Sequence, residues 1–383
     1  MDTAFSEQMP HGDGRAQAGP VKPMRLLCVG DVALAGEWVA SQVWSPLPGI
    51  ASAEETRVLL NWELPIGDVV NPAPRSSGPR LLAHAASPLV VSGWCPGLAT
   101  LATNHILDAK EEGLARTMEA LQQEGFVTVG AGRTREEIAR PALWETATGR
   151  LAIANWVFPE THPDWMAVPG PNCWPGRDEA SRIIRRLRDV ADWVLVVVHW
   201  SDELFPYPRP EDRAIARELA EMGADLIVGH HPHVVRGMEV IGRCPVFYSL
   251  GDLYFSEIRD DRGNWIVRRA PRNREGLGIE ITFARGKNPT YQALSFWQQG
   301  SQVAPDPRGR AARRMAWASR PLQRFQGSRY AEWYGAQRSR FDRWGGRWHF
   351  GVRKLGWRGL VQRASCLSRS RWAGRGQRGT AEP

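Results

Sequence analysis

Five apolar runs in this 383-residue chain each end in a side chain that can hold a metal ion, and this recurrence constrains the fold more than any other feature. The run Arg25–Gly30 stops at Asp31, and Val58–Leu60 leads into Asn61 and Glu63. Gly97–Ala102 runs into Asn104 and His105, Trp193–Val198 ends at His199, and Leu226–Gly229 ends at His230, His231 and His233. Short apolar runs bounded by polar or glycine residues read as strands buried on both faces. Between them lie helical periods: Leu114, Met118 and Leu121 within 111–126, then 178–192 and 209–224. Gly125 stands where a helix C-cap glycine belongs, and Glu211 and Asp212 suit the dipole at a helix start. Strands that alternate with helices imply an α/β protein, and chemistry at strand carboxyl ends is where open α/β sheets place their sites.

Only nine histidines occur, and five of them (His105, His199, His230, His231 and His233) directly follow expected core strands. Any one alone reads as an ordinary loop histidine, and Asp31 alone as a helix cap. Together, neutral imidazoles and carboxylates are the donors that borderline divalent ions of the Mn, Zn or Fe class prefer. Gly229 allows a tight turn and Pro232 fixes the backbone between His231 and His233.

The remaining segments read as a hairpin over 139–158 about Thr148-Gly149, a hairpin and strand over 237–255, a charged loop over 256–275, and closing strands over 276–286 and 291–299. The polar leader 1–23 reads as disordered and has no apolar core for a signal peptide. No run of about 18 uncharged apolar residues occurs, so a cytoplasmic location is expected. Five cysteines lack CxxC spacing, which argues against a zinc knuckle. Walker A, HExxH and GxSxG patterns are absent, and Gly130–Thr134 reads as a turn.

The motifs Gly30–Leu34, Asn61–Ile66, Thr103–Asp108, Val198–Trp200, Gly223–Val240 and Pro245–Phe255 stand in an order and spacing that resemble the CapA (poly-γ-glutamate capsule synthesis) family of the calcineurin-like metallophosphoesterase superfamily. The likeness covers about 24–285 and is most specific in GADLIVGHHPHVVRG followed by PVFYSLG. It implies a layered β-sandwich flanked by helices over 24–300; the charge of residues 301–383 marks them as a basic C-terminal extension. It also implies a divalent-metal site and metal-dependent hydrolysis of a phosphoester or capsule-related anionic polymer. By the resemblance, Asp31 is the first metal carboxylate, Glu63 replaces the second, Asn104 is the amide ligand and His199 the middle-strand imidazole. His233 and either His230 or His231 form the closing pair, while His105 lies beside the scissile phosphate as a general acid. Arg236 is placed to bind an anionic group of the substrate.

Three positions depart from the superfamily pattern. Ala33 stands where a second histidine ligand is common, Glu63 replaces an aspartate, and Asp252 replaces an asparagine frequent in the family. The first departure leaves a two-metal site incomplete, and Asp252 is expected to face solvent. A non-catalytic part of a membrane-associated polymer synthesis or export complex is therefore the alternative function.

Residues 301–383 hold a net +15 against +8 for the whole chain, so residues 1–300 carry −7. Aromatics (Trp317, Phe325, Tyr330, Trp333, Tyr334, Phe341, Trp344, Trp348, Phe350, Trp357 and Trp372) interleave with the arginines. A solvated extension is one reading. Peripheral contact with anionic lipid, at the inner face of the membrane, is the second. Nucleic-acid binding is the third and has no recognised fold to support it.

Overall fold

The computed structural model describes residues 22–35, 56–67, 80–94, 97–259 and 263–345. The chain begins one sheet, crosses to lay down a second, and returns to complete the first. Strands β1 (Met24–Ala33), β2 (Thr56–Trp62), β3 (Gly97–Thr100) and β4 (Phe126–Val129) pair in parallel, with α1 (Lys110–Gln123) between the last two. The second sheet contains β5 (Ala142–Thr146), β6 (Gly149–Val157), β7 (Trp193–His199), β8 (Leu226–His230), β9 (Met238–Ile241) and β10 (Cys244–Phe247), in spatial order β9-β10-β8-β7-β6-β5. Helices α2 (Arg177–Val190) and α3 (Pro210–Met222) make the crossovers into β7 and β8. Strand β11 (Asp252–Phe255) pairs in parallel with the end of β1. Then β12 (Glu275–Phe283), β13 (Thr290–Gln299) and β14 (Gln302–Pro305) complete the first sheet as an antiparallel ribbon, followed by α4 (Arg310–Arg324) and α5 (Gly327–Arg340).

Alternation along the strands decides which face each residue covers. Met24, Leu26 and Cys28 of β1 meet Leu195 and Val197 of β7 and Ile279 of β12 between the sheets. Leu27 and Val29 point the other way, into a cluster with Leu114 and Leu121 of α1. Val194, Val196 and Val198 of β7 turn toward Ile184 of α2, Leu219 of α3, and Leu322 and Tyr330 of the last two helices. The result is a four-layer α/β/β/α stack, which matches the expected layered sandwich flanked by helices. Helix α3 shows the local logic: Pro210 opens it, the Asp212 side chain accepts from the Arg209 backbone N–H, and Gly223 closes it with φ 114°.

Three expectations are corrected. Gly30-Asp31 does not break β1, which runs on to Ala33 with a register irregularity between Cys28 and Asp31. Gly251 packs closely against it there: a Cβ on Gly30 would lie 2.3 Å from the Gly251 carbonyl oxygen. The segment 256–275 is not an unstructured loop, since Ile258–Arg259 and Trp265–Val267 form a short ribbon.

The boundary at 300 is the third correction. It cuts the β13–β14 hairpin, and the chain continues into helices that belong to the body. Ala311, Ala318 and Leu322 are fully buried and Tyr330 is 1% exposed, with its hydroxyl donating to the Pro208 carbonyl at 2.7 Å. The Arg213 guanidinium stacks 4.2 Å over the Tyr330 ring and donates to the carbonyls of Leu322 and Phe325. Several tail aromatics thus pack inward on apolar surface, Trp333 against Tyr207 and Tyr334 against Phe205. The expectations for residues 1–21 and 346–383 lie outside the described residues.

Candidate metal centre

The candidate ligands converge where strand ends of the two sheets meet. Asp31, from β1, and Glu63, one residue past β2, are both fully buried and are tied together by Asn61. The Asn61 amide donates to Asp31 Oδ1 at 3.0 Å and to Glu63 Oε2 at 2.9 Å, while its own Oδ1 accepts from Thr100 Oγ1 at 3.1 Å. His199 ends β7 directly beside His230, its register partner at the end of β8. His199 Nε2 lies 3.0 Å from Asn104 Oδ1 and 3.6 Å from Glu63 Oε1.

After β8 the backbone enters the left-handed region twice, at His231 (φ 90°) and His233 (φ 55°), on either side of Pro232. Non-glycine residues held there cost free energy and collect at functional sites. The two turns aim the three histidines differently. His230 Nδ1 meets Asp31 Oδ1 at 2.7 Å, and the His231 backbone N–H donates to Asp31 Oδ2 at 3.2 Å. His233 Nδ1 lies 2.8 Å from Asp252 Oδ1 and 3.3 Å from Asp31 Oδ2. Gly229 serves these turns by close approach rather than by turning itself. It lies within β8, where a Cβ would sit 2.4 Å from the Tyr248 carbonyl oxygen.

Two groups of donor atoms emerge, each with all its atoms within 4.8 Å of one another: Glu63, His199 and His231, and Asp31, His233 and Asp252. In the first group Glu63 Oε1, His199 Nδ1 and His231 Nδ1 are buried without a hydrogen-bond partner. Buried polar atoms normally find a partner, so an unpartnered atom on each of these three residues fits a cation.

Electrostatics support the same fit. Burial, reinforced by the Asp31 charge, pushes the Glu63 carboxyl well above the usual carboxylate range. Burial holds His199 and His231 well below the usual imidazole value, so both stay neutral, as ligation requires. For Asp31, burial works upward, but the His230 and His233 imidazoles outweigh it and hold the carboxyl well below its ordinary value.

His105 belongs to neither group. Its Nδ1 is 2.6 Å from Asp108 Oδ2, which also accepts from the Leu81 backbone N–H at 2.8 Å. An anchored carboxylate so placed fixes the ring's tautomer and orientation.

Arg236 is corrected. It is fully buried, and its guanidinium donates to the carbonyls of Phe205 (2.9 Å) and Asp202 (2.7 Å) and to Ser201 Oγ (2.5 Å). Those bonds tie the guanidinium to the segment 201–205 inside the protein. Asp252 is corrected in the opposite sense: it is 1% exposed and sits inside the second donor group.

Sequence reasoning gave no site role to Asn61, Asp108 or Arg269. Asn61 and Asp108 carried a signal, since they lie two and three residues from Glu63 and His105. Arg269 carried none; it reaches the site from the segment read as a loop, and its guanidinium contacts Asp252 Oδ2.

Fold and site together define a layered α/β protein whose strand ends gather buried carboxylates and imidazoles of the kind that divalent ions take as ligands. Residues 25–257 match the model of the bacterial capsule synthesis protein family PGA_cap, and the chain belongs to that family. It is similar to the capsule biosynthesis protein CapA of Bacillus anthracis, at 28% identity over 51% of this chain and 52% of that protein. It is also similar to the PGA biosynthesis protein CapA of Bacillus subtilis (strain 168), at 31% identity over 41% of this chain and 42% of that one. The chain thus spans about half the length of these curated relatives or less. Among solved structures, a 5'-nucleotidase precursor from Thermus thermophilus aligns over 79% of this chain and 59% of its own, at 16% identity and a TM-score of 0.40.

Proposed function

We propose that the protein is a metal-dependent hydrolase of the phosphoesterase type that serves the synthesis of a capsule polymer such as polyglutamate. The observation that carries this reading is the trio of buried, unpartnered donors on Glu63, His199 and His231. Glu63, His199 and His231, with Asn104 beside His199, would hold a divalent ion of the Mn, Zn or Fe class. Such an ion, when bound, polarises a phosphoryl oxygen and lowers the pKa of bound water. The chain's own residues do the rest. Asn61 keeps the two carboxylates in register, and His230 orients Asp31. His105, held by Asp108, delivers a proton to the leaving oxygen. The substrate is an anionic phosphoester or polymer segment.

Metal analysis of the purified protein, paired with a screen of phosphomonoesters and phosphodiesters, tests the proposal. Bound metal and turnover are expected in the wild type, and both fall sharply in His199→Ala. A protein that takes up no divalent ion and behaves identically as His199→Ala removes the reading.

The alternative, a non-catalytic part of a membrane-associated synthesis or export complex, is favoured by Ala33, which is fully buried and offers no donor. No helix of the described residues is long and apolar enough to cross a membrane. A peripheral attachment through the basic residues toward the C-terminus serves that reading, and flotation with anionic liposomes, with and without residues 346–383, tests it. The same segment bound to oligonucleotides at low salt would favour nucleic acid instead.

A further inference from the structure

The two donor groups differ in one respect that their composition hides. In the Glu63–His199–His231 group, an oxygen and two ring nitrogens have no partner. In the Asp31–His233–Asp252 group, three of the four carboxylate oxygens are bonded or paired with an imidazole, and the fourth, Asp252 Oδ2, accepts no hydrogen bond and is met only by a charged neighbour. Asp31 Oδ1 accepts from Asn61 and pairs with His230 Nδ1, and Asp31 Oδ2 accepts from the His231 backbone and lies 3.3 Å from His233 Nδ1. Asp252 Oδ1 pairs with His233 Nδ1, and Asp252 Oδ2 contacts the guanidinium of Arg269.

Arg269 is built into this position. Its side chain is 4% exposed, and the guanidinium lies 4.9 Å over the Phe255 ring and donates to the Asn273 carbonyl. Asn273 in turn donates through Nδ2 to the His233 carbonyl at 2.8 Å, so one short segment grips both the arginine and the histidine. A guanidinium stays charged under all ordinary conditions, and a buried charge persists only where it is paired. A divalent ion in the same group would face that fixed positive charge at close range inside the protein, where repulsion is weakly screened. Ala33, fully buried on the same strand as Asp31, supplies no donor to offset it.

We propose that Arg269 takes the place of a second cation at Asp31, His233 and Asp252, so that the protein holds a single divalent ion, at Glu63, His199 and His231. The proposal rests on the metal-dependent reading above and narrows it to a one-ion centre with an arginine as its fixed positive partner. In this arrangement Asp252 and His233 are positioning residues that hold Arg269 and Asp31 in register.

The test is metal stoichiometry, by elemental analysis and by Mn(II) titration of the full chain. Wild type is expected to bind about one ion per chain, and Arg269→Met, which keeps much of the bulk and removes the charge, about two. Two ions in the wild type overturn the one-ion centre and leave metal-dependent chemistry standing. One ion in both proteins overturns the role of Arg269. No ion in either removes the metal-dependent reading and this inference together. Should Arg269→Met fail to fold, Mn(II) electron paramagnetic resonance of the wild type decides. An uncoupled single-ion spectrum is expected, and a spin-coupled pair overturns the proposal.

Discussion

His230 Nδ1 lies 2.7 Å from Asp31 Oδ1, and this contact joins the end of β8 in one sheet to β1 in the other. The two residues stand 199 positions apart in sequence. The pair places the candidate site at the seam between the sheets, so the packing that stabilises the sandwich also sets the spacing of the candidate ligands. A metal ion bound at this site would therefore be coupled to folding.

That coupling sets the first prediction. A ligand that binds only the folded state stabilises by about 2.7 kcal/mol at a hundred times its dissociation constant. Thermal unfolding of metal-stripped wild type should shift upward on adding Mn(II) or Zn(II), and His199→Ala should lose most of the shift. An equal shift in both proteins would mean that the ion binds elsewhere.

The shift should also depend on pH, with a definite sign. In the metal-free protein, burial keeps His199 and His231 neutral below the usual imidazole value. The unfolded chain protonates them near pH ~6.5, so stability is lost as pH falls through that value. Glu63 acts in the other direction. Burial and the Asp31 charge raise it, so the folded protein keeps a proton that the unfolded chain releases above about pH 4.3, and stability is lost as pH rises through the folded value. A bound cation favours the ionised Glu63, so the stabilisation by metal should grow between pH 5 and pH 7.5. Melting curves with and without a chelator measure it; a gain that is flat across this range contradicts the assignment.

Asp108→Asn should separate positioning from ligation. The asparagine oxygen can still accept from Leu81, but it no longer offers a carboxylate to His105 Nδ1. Turnover should fall by about 10–100-fold with metal stoichiometry unchanged. Loss of metal in step with activity would place Asp108 in the ligand shell instead.

Gly229→Ala should damage the site through the backbone. The added methyl would meet the Tyr248 carbonyl oxygen at 2.4 Å and Trp200 Nε1 at 2.6 Å, so β8 must shift away from both. Overpacking of this kind costs about 1–3 kcal/mol. Because His230 and His231 follow directly, metal affinity should fall as well. An unchanged melting temperature would show that the strand yields freely.

Tyr330→Phe tests whether the last two helices belong to the body. The hydroxyl donates to the buried carbonyl of Pro208, and its removal leaves that acceptor unpaired at a cost of about 1–3 kcal/mol. A variant as stable as wild type in denaturant titration would argue that α5 contributes little.

The strands and the donor-bearing ends were legible from local pattern alone. Apolar runs such as Trp193–Val198 can only be strands or buried helices, and a histidine directly after one has few bland explanations once the pattern recurs. The likeness to a family then ordered those ends. What each residue does was decided by the tertiary structure, because function there depends on distances between segments far apart in sequence. Asp252 reads as solvent-facing until β11 is laid against β1, and Arg236 reads as a binder of a substrate anion until the 201–205 segment is folded over it. Arg269 has no local signal, since nothing in a charged stretch reveals which side chain turns inward. His230 and His231 were indistinguishable by spacing. With the backbone left-handed at His231, one ring reaches Asp31 and the other Glu63 and His199. Periodicity is a local property of the chain, whereas charge pairing and ligand geometry are fixed only when distant strands are brought together.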